Sequence, residues 1–372
     1  MTLHIFNPEH DIALASNLSN FTAPHAGRQL RNDLGFLPAL WAQEGDQILV
    51  EHEESAMKAY RRVCHRLVKL GIADYSHTGN IKFPRREQNI STLGISSVQP
   101  WGWDRAIRRE LERMGFDESL LPTNEQTEHI RQLSHRRTSA HLLPQLQMEG
   151  TVGEAFECTS LEQVTELMQR YGRLVLKAPW SSSGRGVRFC DAARLNNKEI
   201  NNKEINNKEI NNNKDAQMAW VRNVITSQGS IMVEPYYNKV KDFGMEFEAD
   251  ADGQIHYLGL SLFHTVNGAY EGNILATESV KQKMISRYVS VELLDRIKQN
   301  IIDCLRLPGY VGPFGVDMMI TKEGLHPCVE INLRRTMGHV ALSISPTDDD
   351  IRGVMRVIYD GGHYKLKINK LR

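Results

Sequence analysis

The stretch HPCVEINLRR, residues 326–335, decides how this chain is read. Side chains alternate across a β-strand, so Glu330 and Asn332 point to one face and Ile331 to the other. Two oxygen donors therefore share a side just ahead of two adjacent arginines, Arg334 and Arg335. Upstream, GVDMMI (315–320) and the turn TKEG (321–324) predict the partner strand of a hairpin. With a symmetric loop centred on Lys322 and Glu323, Asp317 lies opposite Cys328 and shares a face with residues 328, 330 and 332. Asp317, Glu330 and Asn332 then converge on one or two hard cations. Carboxylate and amide oxygens suit Mg²⁺, which binds few protein groups and keeps places for phosphate oxygens. The same spacing would serve the polar face of an edge hairpin, and spacing alone does not separate the two.

A second motif, VLKAPWSSSGRGV (175–187), places Lys177 on a strand and follows it with Ser181, Ser182, Ser183 and Gly184. Small residues let backbone N–H groups approach phosphates, and a lysine beside them neutralises charge. It is neither a Walker loop, since the chain has no Gly-Lys dipeptide, nor a dinucleotide fingerprint, since the third glycine and following helix are missing.

In chain order these pieces resemble the ATP-grasp superfamily: a lysine-bearing strand and small-residue loop, a strand ending in an acid and an extended hinge (IMVEPYY, 231–237), an acid on the next strand (Asp242), and finally Asp…Glu-x-Asn followed by a basic residue. The resemblance spans roughly residues 125–345. It implies an α/β and α+β chain, with an N-terminal parallel-sheet α/β domain at 1–122 and a two-lobed ATP-grasp domain at 123–372. The small lobe would cover about 138–233, with an insertion at 196–214, and the large lobe about 234–372. It implies ATP and Mg²⁺, as one or two ions, as cofactors. Lys177 would contact the α- and β-phosphates, Glu234 and its neighbours would line the adenine pocket, and Asp242 would meet the ribose. Asp317, Glu330 and Asn332 would hold Mg²⁺, and Arg334 or Arg335 would steady the transferred phosphoryl group. The family's second phosphate-binding lysine is absent: LSHRRTSAHLL (133–143) offers Arg136 or Arg137 instead, a bidentate fork in place of a point charge.

The implied activity is ATP-dependent ligation, in which a substrate carboxylate becomes an acyl phosphate and an amine or similar nucleophile captures it. A kinase phosphorylating a hydroxyl would share every ATP-side residue. A catalytically silent nucleotide-binding protein, and a metal-dependent hydrolase built on NPEHD (7–11), are the other readings. NPEHD follows the first strand, where ligands bind at the carboxyl ends of parallel sheets, so His10 or Asp11 is placed to touch a second substrate; the same residues also suit a turn and helix cap. His264, Asn267 and His339 are further candidates for the acceptor pocket.

Bulk properties narrow the class. Hydrophobic residues make up 41% of the 372 and charged residues 24%, an ordinary globular composition. Lys plus Arg (45) balances Asp plus Glu (45), so no net field recruits nucleic acid or an anionic membrane. The partners expected are small-molecule substrates, with room for a homo-oligomer. Five scattered cysteines without a CxxC pair suggest neither a zinc site nor a disulfide framework, and with no signal-peptide or membrane-length apolar run they point to the cytoplasm. Residues 1–100 alternate short apolar runs with amphipathic segments, a βαβα order. The tandem NNKEI copies at 196–210 advance each isoleucine about 140° on a helix, so they form no common face and read as an expanded surface loop without a catalytic role.

Overall fold

A computed structural model describes residues 1–72, 81–86, 94–181, 186–193, 214–266 and 269–371. The NNKEI copies, and Ser182, Ser183, Gly184 and Asn267, lie outside the described residues. Among the described residues no helix is long and apolar enough to cross a membrane.

The N-terminal sheet joins β1 (Thr2–Ile5), β2 (Gln47–Leu49) and β3 (Ser97–Pro100), all parallel in the order β2-β1-β3. The helix expected around 26–42 is instead α2 (His25–Leu34) followed by a 3₁₀ turn at Leu37–Leu40. Pro38, which lacks an N–H and crowds the preceding turn, accounts for the break. Helix α1 (His10–Ser16) leaves β1, α3 (Glu53–Lys69) follows β2, and α4 (Arg105–Arg113) follows β3.

The second sheet contains β4 (Phe156–Cys158), β5 (Arg173–Lys177), β6 (Val187–Asp191) and β7 (Ile231–Pro235), antiparallel in the order β4-β7-β5-β6. Helices α5 (Asn124–Leu133) and α6 (Arg137–Leu142) precede it. Against it packs α7 (Leu161–Tyr171), whose start and stop are written locally. Ser160 and Gln163 satisfy each other's backbone N–H groups in a capping box, and Gly172 closes the helix at φ +72°.

The third sheet, β13-β12-β8-β9, is antiparallel and built from β8 (Lys239–Ala249), β9 (Ile255–Ser261), β12 (Gly312–Thr321) and β13 (Leu325–Asn332). Period-two alternation divides it. Phe243, Met245 and Phe247 of β8 and Phe314, Val316 and Met318 of β12 enter a core with Leu294, Ile297 and Ile301 of the helix Val291–Cys304. Phe247 and Phe314 stack at 5.2 Å. The opposite face is left to Asp242, Glu246 and Asp317.

A fourth sheet, β10-β11-β14-β15, has no counterpart in the sequence reading. It joins β10 (Phe263–Val266), β11 (Ala269–Leu275), β14 (Gly353–Asp360) and β15 (His363–Lys370). Met355, Leu366 and Ile368 of its C-terminal hairpin share one core with Leu34, Leu67 and Ile72. Arg66 Nε also donates to the Ile368 carbonyl at 2.8 Å. Residues on both sides of the division at 122 thus close a single core.

Candidate active site

Pairing across the third sheet sets out three rows on its polar face. Asp242, Met319 and His326 form the first; Gly244, Asp317 and Glu330 the second; Glu246, Gly315 and Asn332 the third. Asp317 therefore faces Glu330 directly, correcting the expected partner, Cys328, which is buried in the core. The cause is a bulge: Met318 alone on β12 faces Pro327, Cys328 and Val329 on β13. Proline cannot donate to the ladder and is accommodated at such irregularities. Two extra residues preserve the alternation, so the convergence of Asp317, Glu330 and Asn332 survives the change of register. Asn332 Nδ2 donates to Asp317 Oδ2 at 3.1 Å.

This face is electrostatically expectant. Burial, then the neighbouring carboxylates Glu330 and Glu246, push the Asp317 carboxyl well above its ordinary range, against the opposing pull of Arg334. A cation placed there would reverse that shift. Among the described residues no three acidic, His or Cys side chains form a ready-made metal cage. Two carboxylates and an amide nevertheless fit Mg²⁺, which completes its octahedron with water and phosphate.

Three cationic side chains surround the acids. Lys177, at the end of β5, is buried and its Nζ lies 2.6 Å from Glu234 Oε1 on neighbouring β7, and 3.5 Å from the Val329 carbonyl. Arg136 Nη2 donates to Glu330 Oε1 at 2.8 Å, while its Nη1 donates to Ser181 Oγ at 2.8 Å and to the Ala178 carbonyl. Arg334 grips both oxygens of Asp11, each at 2.8 Å, and reaches Asn332 Oδ1 at 3.0 Å. Burial disfavours charge on both partners of that pair, but mutual attraction wins: the Asp11 carboxyl is lowered and the Arg334 guanidinium raised.

The two double-arginine positions differ in their contacts. Arg137 reaches Glu157, at 2.7 Å, and His135, whereas Arg136 reaches Glu330 and Ser181. Arg335 donates its N–H to the Trp101 carbonyl at 2.9 Å, and its guanidinium lies 4.5 Å over the Trp41 ring. Burial pulls its guanidinium down to about 10, against the pull of Glu248. Asp242 stands on the same face as Asp317, one row along, bound to Lys239 Nζ at 2.6 Å and to Thr265. Ser181 belongs to the loop whose base is closed by Ala178 N–H donating to the Gly186 carbonyl at 2.8 Å. His264 is exposed on β10, and His339 is buried beside Glu246 at 3.0 Å.

Two buried polar residues on this face were not among those expected. Glu246 is buried on the acidic face, taking a hydrogen bond from Thr336 Oγ1 at 2.8 Å. Its signal was the alternation Asp242-x-Gly244-x-Glu246 in β8. His326, on the same face as Asp317 and fully buried, has neither ring nitrogen hydrogen-bonded. Burial, reinforced by Lys177, holds it down to about 3. The unfolded chain takes up a proton near pH 6.5 whereas the folded chain does not, so stability is complete above that pH and declines as pH falls toward 3. At pH 5 the loss is about 2 kcal/mol. Urea denaturation at pH 7 and pH 5 should show this loss shrinking in His326→Leu; an identical acid decline in the variant would refute the assignment.

A small open cleft is lined, among others, by His10, Asp11, Ser181, Glu330 and Asn332. No family model matches the sequence, and no curated protein matches it. Solved structures do resemble it in fold. A biotin carboxylase from Campylobacter jejuni, solved as a β-γ-ATP complex, is 12% identical and aligns over 96% of this chain and 75% of its own, with a TM-score of 0.50. An N5-carboxyaminoimidazole synthetase from Staphylococcus aureus complexed with ADP is 14% identical over 96% and 82%, at 0.47. An L-amino acid ligase from Bacillus licheniformis is 10% identical over 96% and 80%, at 0.46. The chain has the ATP-grasp fold.

Proposed function

We propose that this chain is an ATP- and Mg²⁺-dependent ligase that activates a substrate carboxylate as an acyl phosphate for capture by an amine or similar nucleophile. The observation that carries the reading is the row Asp317–Glu330 with Asn332 beside it, where Arg136 donates to Glu330 and Arg334 to Asn332. Phosphoryl transfer depends mainly on positioning and electrostatic stabilisation, and this arrangement supplies both. The fold shared with a biotin carboxylase solved as a β-γ-ATP complex supports it.

In this reading Asp317, Glu330 and Asn332 hold Mg²⁺, which when bound polarises phosphate oxygens as a Lewis acid. Lys177 and Arg136 neutralise the nucleotide phosphates beside Ser181 and its loop. Glu234 and the following Pro235, Tyr236 and Tyr237 border the base, and Asp242 meets the ribose. Arg334, already a fork for the Asp11 carboxylate, steadies the transferred group. Division into a domain at 1–122 and an ATP-grasp unit at 123–372 belongs to the same proposal. So does a place in the cytoplasm, supported by five free cysteines.

Incubation with ATP and Mg²⁺ against pooled amino acids, peptides and small carboxylic acids should release ADP and phosphate together with an amide. Release of ADP with a phosphoester would make the chain a kinase, and no ADP release across the whole panel would defeat the reading.

A further inference from the structure

His10 opens α1 at the carboxyl end of β1, and its ring is held at one edge by Asp104 and on one face by Gly102. Its Nδ1 lies 3.0 Å from Asp104 Oδ2, with both side chains buried. Asp104 is itself fixed: its Oδ1 accepts the Ala106 and Ile107 N–H groups, each at 2.9 Å, as the N-cap of α4. Asn7 ties the loop to this pair, donating to Asp104 Oδ2 at 3.3 Å and to the Gly102 carbonyl at 2.9 Å. Gly102 lies flat on the imidazole, where a Cβ would stand 2.6 Å from Cδ2 and 2.7 Å from Nε2. The ring can neither tilt nor flip without displacing this loop.

An ionised carboxylate only accepts hydrogen bonds, so Nδ1 carries the proton and the lone pair resides on Nε2. His10 lines the same cleft as Glu330 and Asn332. Asp11, the other candidate base there, has both oxygens engaged by Arg334.

Resting on the ligase reading, we propose that His10, oriented by Asp104, is the general base that takes the proton from the attacking amine. The amine lone pair forms the C–N bond at the acyl carbon, the C–O bond to phosphate breaks with its electron pair leaving on phosphate, and the amine proton moves to Nε2. Asp104 is the positioning residue: it sets the tautomer and faces the imidazolium that results.

The test separates amine capture from carboxylate activation in the full-length protein. Hydroxylamine, unprotonated near neutral pH and strongly nucleophilic, captures an acyl phosphate without a base. With ATP, Mg²⁺ and the amino-acid pool, His10→Gln should lose amide formation by about 10²- to 10⁴-fold while hydroxamate formation stays within about threefold of the parent. Asp104→Asn should shift the two readouts in the same unequal way, and added imidazole should restore amide formation to His10→Gly. Equal loss of both products, or loss of neither, would overturn the role of His10. Failure of the unsubstituted protein to give hydroxamate or ADP overturns the ligase reading instead, and this proposal with it.

Discussion

Glu330→Gln should reduce ADP release about a thousandfold and leave the fold intact. Loss of a metal-holding carboxylate removes several kcal/mol of transition-state stabilisation, and each 1.36 kcal/mol is about a factor of ten in rate. Glutamine is close in shape and retains an oxygen that can accept from Arg136, which now donates to Glu330 at 2.8 Å. The substitution therefore tests the negative charge rather than the contact. Two measurements check it: initial ADP release across a Mg²⁺ titration, and the Mg²⁺-induced shift in thermal unfolding of the protein with ATP, which the variant should lack. A variant with the parent's rate and Mg²⁺ dependence would leave Glu330 as an anchor for Arg136 and nothing more.

Lys177→Met should cost about 3 to 5 kcal/mol of stability as well as nucleotide affinity, because Glu234 would be left buried without its cation. Pairing the change with Glu234→Gln removes the stranded charge and should recover most of the stability, yet not the affinity, since the positive charge proposed to meet the nucleotide phosphates is still missing. Urea denaturation follows the first quantity, and fluorescence titration with a labelled ATP analogue follows the second. If the double variant binds nucleotide like the parent, Lys177 is a structural partner of Glu234 and its place in the site is lost.

Much of this was legible in the chain. The Ser160–Gln163 cap and Gly172 stop of α7 involve neighbours a few residues apart, and the alternation of β8 and β13 needs only the pleat of a strand. The C-terminal hairpin was harder to see. Gly353–Asp360 mixes apolar and charged residues, and its value as a strand depends on pairing with β11 and on the apolar surface of Leu34 and Leu67, far away in sequence. His326 was equally hidden, since nothing local marks a histidine whose two nitrogens will both be buried without partners.

By itself the sequence determined which side chains share a face: Glu330 with Asn332, and Asp242 with Glu246, because alternation is a property of one extended strand. Tertiary structure decided what each face meets. The bulge at Pro327 moved Asp317 from Cys328 to Glu330. Contacts from separate segments drew Arg136 to Glu330, Arg334 to Asp11 and Arg335 to Trp41. Two consecutive arginines look alike along the chain; a carboxylate brought from 323 residues away takes Arg334, while Trp101 and Trp41 take Arg335.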